Sequence, residues 1–433
     1  MRFNNPVIAL AFSCFPTVLL ASDFLSESQA SAQYLQYYWN EDQGDGVGPI
    51  RDEWVHALRL DYQSGYYRNL IGFDVGFGAA DALAIGKGVT SVTNLPTDNG
   101  LQNPDAIAKP ITAYLKLRTG TGDHQFRFGW GKKVRRYHLY SDSTTRILPA
   151  ASIGVDLSYE FQSLRLYGAS LERFSPRNEA GWGEDLRTFD GQSIDRVDLV
   201  GLDYMFPRDF RVEAEYVLSK NYLEASLVRL SHDVAISAEA KLSMALAHGR
   251  QSDAGHLFEQ QGVPGLFPSD RNHESRYNEL TMKLQRPGYY LGAAFTKVNG
   301  DHYERVLFSR DYGTWDSAAD NFYRFGLAGE AMWKLSAGID LTSFGLEGLR
   351  WDGYYARSDG ADDFSGFSRS ELLSFLKYRF PGKLKGLSIS WLHVAFDTNG
   401  EPKPGTGQIR SFGPAGIITH DADRLYLSYS YDF

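Results

Sequence analysis

Along residues 423–433, apolar or aromatic side chains at Leu425, Leu427, Tyr429, Tyr431 and Phe433 alternate with the mostly polar Arg424, Tyr426, Ser428, Ser430 and Asp432. Period-two alternation places the two sets on opposite faces of a strand. The segment therefore has one oily face and one wet face, and its tyrosines lie near an aromatic chain end. That pattern is typical of a strand in an outer-membrane β-barrel. Taken alone, it also suits an edge strand of a soluble sandwich.

The alternation recurs along the chain. It predicts eighteen strands, at 33–39, 53–62, 67–77, 112–119, 124–130, 153–161, 163–171, 196–206, 210–218, 221–230, 233–247, 276–286, 288–298, 329–341, 348–357, 369–380, 386–396 and 423–433. Long and short gaps between them alternate, with one exception between residues 218 and 221. An up-and-down barrel with short turns at one rim and long loops at the other produces this rhythm. A sandwich or propeller has no reason to. The expected fold is all-β: a transmembrane antiparallel barrel of about eighteen strands, wide enough for an aqueous channel unless loops fold inward. Residues 78–111, 131–152, 172–195, 248–275, 299–328 and 397–422 are expected to face outside.

Composition changes the picture in two ways. The chain has 43 Gly, 27 Phe and 26 Tyr, which favours strands, turns and interfacial aromatics. A mean hydropathy of −0.35 resembles that of a soluble protein, but a barrel shows lipid only every second residue. Residues 1–21 have the form of a secretory signal peptide: Arg2, then an apolar run, then Leu19 and Ala21 before Ser22. Residues 22–433 then form a single barrel domain. The lone Cys14 lies in the leader, so the mature chain has no disulfide or thiolate metal site. Removing Arg2, the only charge in the leader, takes the formal net charge from −9 to −10.

Four stretches resemble the OprD family of substrate-specific outer-membrane porins. They are Asp52-Glu53-Trp54 with Leu60 to Gly65 and Gly72 to Val75; Asp142 to Pro149; Phe344 to Leu349 with Tyr378 to Phe380 and Leu384 to Ser388; and the strand beginning Asp423-Arg424-Leu425. The resemblance implies a monomer or weak homo-oligomer that passes small solutes, often carboxylates. It also implies a third and a seventh loop folded inward as a constriction, and a ladder of basic side chains. The chain departs from the family pattern at Lys132-Lys133-Val134-Arg135-Arg136-Tyr137-His138, where the family tends to have Gln and Pro.

Charges of inward parity are the functional candidates, because a cation facing lipid near the midplane costs roughly 2–4 kcal/mol. Arg59, Arg127, Arg350, Lys377, Arg379 and Arg424 on strands, with Arg135, Arg136 and Arg146 in the third loop, form the expected substrate-guiding set. For any single member, a solvated wall residue paired with a lumen carboxylate is the simpler reading. Together, cations along a water-filled bore lower the barrier for anions. The resemblance makes Tyr431 and Phe433 the signal for the barrel-assembly machinery.

Aromatics at Tyr37, Tyr38, Trp39, Trp54, Tyr66, Tyr67, Trp130, Tyr378, Phe380 and Trp391 are expected to form interfacial girdles. The partners expected are outer-membrane lipid, lipopolysaccharide and small anionic or zwitterionic solutes, with no nucleic acid, metal or cofactor. No enzyme motif is complete: His273-Glu274 lacks the second His of a zincin, and no GxSxG elbow occurs. An oligosaccharide porin, and a barrel with a hydrolase or structural role, are the alternatives.

Overall fold

A computed structural model describes residues 22–433 apart from 44–47, 90–91, 98–102, 190, 260–271, 305, 312, 314–315 and 405–418. The signal-peptide expectation at 1–21 lies outside the described residues. The strands are β1 (Gln29–Gln43), β2 (Gly48–Gln63), β3 (Ile71–Ile85), β4 (Ile107–Thr121), β5 (His124–Lys133), β6 (Ala151–Phe161), β7 (Leu164–Ser175), the two-residue β8 (Glu184–Asp185), β9 (Val197–Phe206) and β10 (Phe210–Ser219). They continue with β11 (Leu223–Ser237), β12 (Ala240–Asp253), β13 (Glu274–Arg286), β14 (Tyr289–Gly300), β15 (Ala331–Asp340), β16 (Leu349–Asp359), β17 (Phe364–Arg379), β18 (Leu387–Pro402) and β19 (His420–Asp432).

Each long strand pairs antiparallel with its neighbours, and β7 pairs directly with β9 while β8 clips onto the rim. Pairing of β1 with β19, from Ser31↔Asp432 to Gln43↔His420, closes a barrel of eighteen long strands. Closure leaves no edge to aggregate and no unpaired backbone to face lipid. No helix among the described residues is long and apolar enough to cross a membrane; the strands do so instead.

All eighteen expected strands fall on long strands of the barrel, with three corrections. First, the break expected at residues 231–232 lies at 238–239, between β11 and β12, where Ser237 pairs with Ala240. The polar Ser231 and Asp233 are inward-facing wall residues, and Ile236 belongs to the strand before the turn. Second, besides the exception expected between 218 and 221, the long–short rhythm is also broken between β1 and β2 and between β16 and β17, because β1, β2 and β17 extend further outward than their alternation suggested. Third, Tyr37 and Trp39 are not girdle residues. β1 alternates so that its Tyr38 lies beside the outward Leu425, which turns Tyr37 and Trp39 inward. Tyr66, in the turn after β2, lies under Arg118 at 3.9 Å and Lys116 at 5.0 Å. Trp54, Trp130 and Trp391 do show their rings on the outer face.

The inward faces change character along the strands. Near the short-turn rim they carry Arg59, Asp61, Asp74, Lys116 and Lys377; nearer the loop rim they carry Val55, Leu171, Leu199, Val217, Leu227 and Val394. The apolar half needs cover, and the loops supply it. Ile147 and Leu148 of the third loop (134–150) pack with Leu35, Val55 and Ile111. Tyr140 of the same loop joins Leu171, Val217 and Phe308. In the seventh loop (301–330), Ala319 and Phe325 pack with Tyr277, Met332 and Phe396. The core of this protein is therefore a belt of loop-to-wall contacts inside the barrel, and what remains open is the channel.

Candidate functional site

Wall carboxylates hold the inward loops by accepting hydrogen bonds from loop backbone. Glu215 on β10 accepts from the amides of His138 and Leu139 at 3.1 and 2.5 Å, and from the Tyr167 hydroxyl at 2.7 Å. Glu371 on β17 accepts from the amides of Phe322 and Tyr323 at 3.0 and 2.7 Å. Glu279 on β13 takes Ser317 and the Ala318 amide, and Glu53 on β2 takes Thr93 and the Asn94 amide. Hydrogen bonds to an ionised acceptor are the stronger kind.

At the seam between β1 and β19, a basic node faces the third loop. Trp39 is wholly buried, and two guanidinium groups lie against its ring, Arg424 at 3.7 Å and Arg146 at 4.7 Å. Phe322 covers Arg424 from the seventh loop at 4.5 Å. Glu41 neutralises this wall: it accepts from Arg424 Nη2 at 2.5 Å, pairs with Arg51 and lies 3.2 Å from His420.

Among the described residues Arg146 makes no such ion pair. Its nearest acceptors are the oxygens of its own neighbour Thr145, both at 3.4 Å, and its Nε has no hydrogen-bond partner among the described residues. Burial, and then the charges of Arg177, Arg424 and Arg51, push its pKa well below that of an ordinary arginine. An arginine stays protonated in proteins, so Arg146 holds a cationic charge with no ion pair among the described residues.

The other end of the loop is charge-balanced. His138 Nδ1 lies 2.6 Å from Asp316 of the seventh loop, and its Nε2 lies 3.8 Å from Asp203 and 3.7 Å from Glu213 on the wall. Arg229 donates to the same Asp316 carboxylate at 2.7 Å. Burial works against a charged imidazole here, but hydrogen bonds to Asp203 and Asp316 and the charge of Glu215 outweigh it and raise its pKa to about 10. Burial likewise opposes ionisation of Asp316, yet His138 and Arg229 hold it at about 2. Ligand atoms of His138, Asp203 and Glu213 lie within 4.8 Å of one another, but Arg229, 3.8 Å from Glu213, already supplies cationic charge.

The expected guiding residues separate accordingly. Arg59, Arg127 and Arg350 face the lumen beside carboxylates, at 3.7 Å from Asp61, 2.5 Å from Glu160 and 2.7 Å from Asp352. Lys377 and Arg379 share the inward face of β17 with no ion pair among the described residues. Arg136 is exposed and donates to Thr144 Oγ1 at 3.2 Å.

Arg135 is a correction: it is 2% exposed and does not reach the lumen as a guide. Its guanidinium donates to the carbonyls of Ser152, Gly131 and Gly154 and to Asp156, knitting the loop root to β5 and β6. Lys132, also buried, bonds Ser175 and the carbonyl of Trp182. The basic run in the sequence is thus largely a structural root. Trp39, Glu41, Phe322 and His138 were not among the expected site residues; Trp39 was expected in the girdle, and its contact with Arg146 is long-range.

A closed eighteen-stranded barrel with loops folded into a water-bearing bore is the build of an outer-membrane porin. The family model for the outer membrane porin, OprD family, matches residues 22–412, and the chain belongs to that family. It is 24% identical over 432 residues to a porin-like protein, GalP, of Pseudomonas putida, covering 98% of this chain and 96% of the other. It is 22% identical over 347 residues to porin D of Pseudomonas aeruginosa, covering 76% and 73%. Among solved structures, P. aeruginosa OpdK with vanillate superposes with a TM-score of 0.77 at 20% identity, over 95% of this chain and all of that one. A BenF-like porin from Pseudomonas fluorescens gives 0.77 at 18% identity, with the same coverage. The protein is a channel-forming porin of the bacterial outer membrane.

Proposed function

We propose that the channel passes small carboxylate-bearing nutrients, such as amino acids or organic acids, by passive and selective diffusion. The carrying observation is Arg146. It stands at the constriction on the face of Trp39 with no protein carboxylate on its guanidinium, beside Arg424, whose charge Glu41 already shares. A guanidinium offers a planar donor fork that suits a carboxylate. Arg59, Lys377 and Arg379 continue the basic lining toward the short-turn rim. OpdK is named with vanillate, itself a carboxylate, which supports the reading. An oligosaccharide slide would need open ring faces in the bore; the Trp39 faces are occupied by guanidinium groups.

The test is liposome swelling with a panel of carboxylates, amino acids and neutral sugars. Arg146→Ala is expected to reduce carboxylate flux about fivefold, equivalent to roughly 1 kcal/mol, and to leave sugar flux nearly unchanged. Equal loss for both, or no loss for either, would sink the basic-constriction reading.

Export and assembly belong to the same proposal: residues 1–21 direct secretion, and Tyr431 with Phe433 is read by the assembly machinery. Tyr431 and Phe433 lie exposed at the end of β19. Deleting Phe433 should lower the folded, heat-modifiable fraction in the outer membrane. Assembly at normal levels would remove that role.

A further inference from the structure

A pocket of about 410 Å³ lies under the root of the third loop, on the β4–β7 wall and away from the Trp39 node. Its charged lining is lopsided. Lys116, Arg127, Lys133, Arg135, Arg136 and Arg165 line it, against only Asp74 and Asp156. Two more carboxylates reach in from outside, Glu160 to Arg127 at 2.5 Å and Asp203 to Arg165 at 3.4 Å. Six cations therefore meet four carboxylates.

Asp156 is the overdrawn partner. It accepts from Tyr114 and Lys133, each at 2.7 Å, and from Arg135 at 3.0 Å, so one charge serves two cations. Among the described residues the Arg136 guanidinium meets only the Thr144 hydroxyl. The remaining walls are phenolic: Tyr66, Tyr114, Tyr137 and Tyr167 line the same space, and Tyr137 stacks on Tyr167 at 8° between planes.

We propose that this pocket is a second anion station, distinct from the Arg146–Arg424 node, that takes a small flat carboxylate. The excess cationic charge at Arg136 and Lys133 receives the anionic head, and the tyrosine rings receive the flat body. The volume lies at the lower end for small-molecule sites, and aromatic rings contact flat ligands over much of their area. The station rests on the carboxylate reading only for the route by which its ligand arrives. A solute passing the constriction would find a second resting place beneath the third loop, and two moderate sites in series let an anion leave as readily as it enters.

The test uses the full-length barrel in planar bilayers, with benzoate as the flat probe and cyclohexanecarboxylate as its puckered comparator. Wild type is expected to show current block with two components, benzoate the stronger ligand of one of them. Arg136→Gln should weaken that component about tenfold. It breaks no ion pair, and heat-modifiable mobility checks that the barrel has folded. Ser158→Trp, which fills the pocket from β6 without altering charge, should remove the same component. Arg146→Gln should remove the other.

If both pocket variants titrate as wild type does, the station is wrong, whatever Arg146→Gln shows. If the pocket variants lose a component while Arg146→Gln changes nothing, the station stands and the basic-constriction reading falls. Equal block by the two probes would overturn the flat-ligand assignment.

Discussion

The third loop touches the barrel at two charged nodes that use charge in opposite ways. At His138, carboxylates from β9, β10 and the seventh loop surround one imidazolium, with Arg229 adding a second cation. Each charge there has an opposite neighbour, so the node works as a fastening. At Arg146 the charges of Arg177, Arg424 and Arg51 outweigh that of Glu53, and Glu41 is already shared among Arg51, Arg424 and His420. The loop is held at that end mainly by the apolar packing of Ile147 and Leu148. Charge used for fastening is invisible to a solute, whereas charge left over is what a solute meets. This makes a net charge of −9 compatible with the proposed basic constriction.

The sharpest way to break the comparison is at Arg135, which belongs with the fastenings although its sequence neighbourhood looks like a guide. Arg135→Ala leaves the carbonyls of Gly131, Ser152 and Gly154 without a buried donor, at about 1–3 kcal/mol each, while Asp156 keeps Lys133 and Tyr114. The expected outcome is a large fall in the heat-modifiable fraction, read by cold and boiled electrophoresis. Normal assembly with altered ion selectivity would return Arg135 to the guiding set.

His138→Ala should come next, at about 1.5–3 kcal/mol for the lost charged hydrogen bonds, seen as raised open-channel current noise while the barrel stays intact. The wild-type fastening should also depend on pH. The His138 pKa is raised from 6.5 to about 10, so its contribution is full below 6.5, declines as pH rises and is gone above about 10. Asp316 is lowered from 3.8 to about 2, so its share is full above 3.8 and is lost as pH falls through about 2. Noise should be lowest between about pH 4 and 6.5 and climb toward pH 10. The same alkaline climb in His138→Ala would show that another group is responsible.

The smallest expected effect separates the two nodes by screening. Raising salt from 0.1 to 1 M shortens the Debye length from about 10 to about 3 Å. The difference between wild type and Arg146→Ala in carboxylate flux should shrink at high salt, since Arg146 acts through water. The noise contrast of His138→Ala should persist, since partly buried pairs are screened less. Loss of both contrasts together would mean that the nodes do not differ in kind.

Much of the fold was legible because a barrel strand repeats every two residues, and Ile389, Trp391, Leu425 and Leu427 declare the lipid face locally. The inward face was legible too: Arg59, Lys377 and Arg424 sit at the parity that alternation assigned. Polar wall residues misled at Ser231 and Asp233, where a wet inward face looks like a turn. The site was only half readable. KKVRR contains two buried root residues, Lys132 and Arg135, and one exposed cation, Arg136, and adjacent positions in a run carry no label for which will be enclosed. The pairings Trp39–Arg146 and His138–Asp316 join segments more than a hundred residues apart, so no local spacing encodes them.

The seam has a further consequence. Trp39 and Glu41 are carried by β1, while Arg424 and His420 are carried by β19, and the two strands meet only when the sheet closes on itself. Before closure, each half of the node is missing its counter-group: Arg424 has no carboxylate and Glu41 has lost two of its three cations. The node is therefore not decoration added to a finished wall; it comes into being with the final ladder of hydrogen bonds. On the proposed carboxylate reading, charge preference in a reconstituted channel doubles as a report that its first and last strands have met.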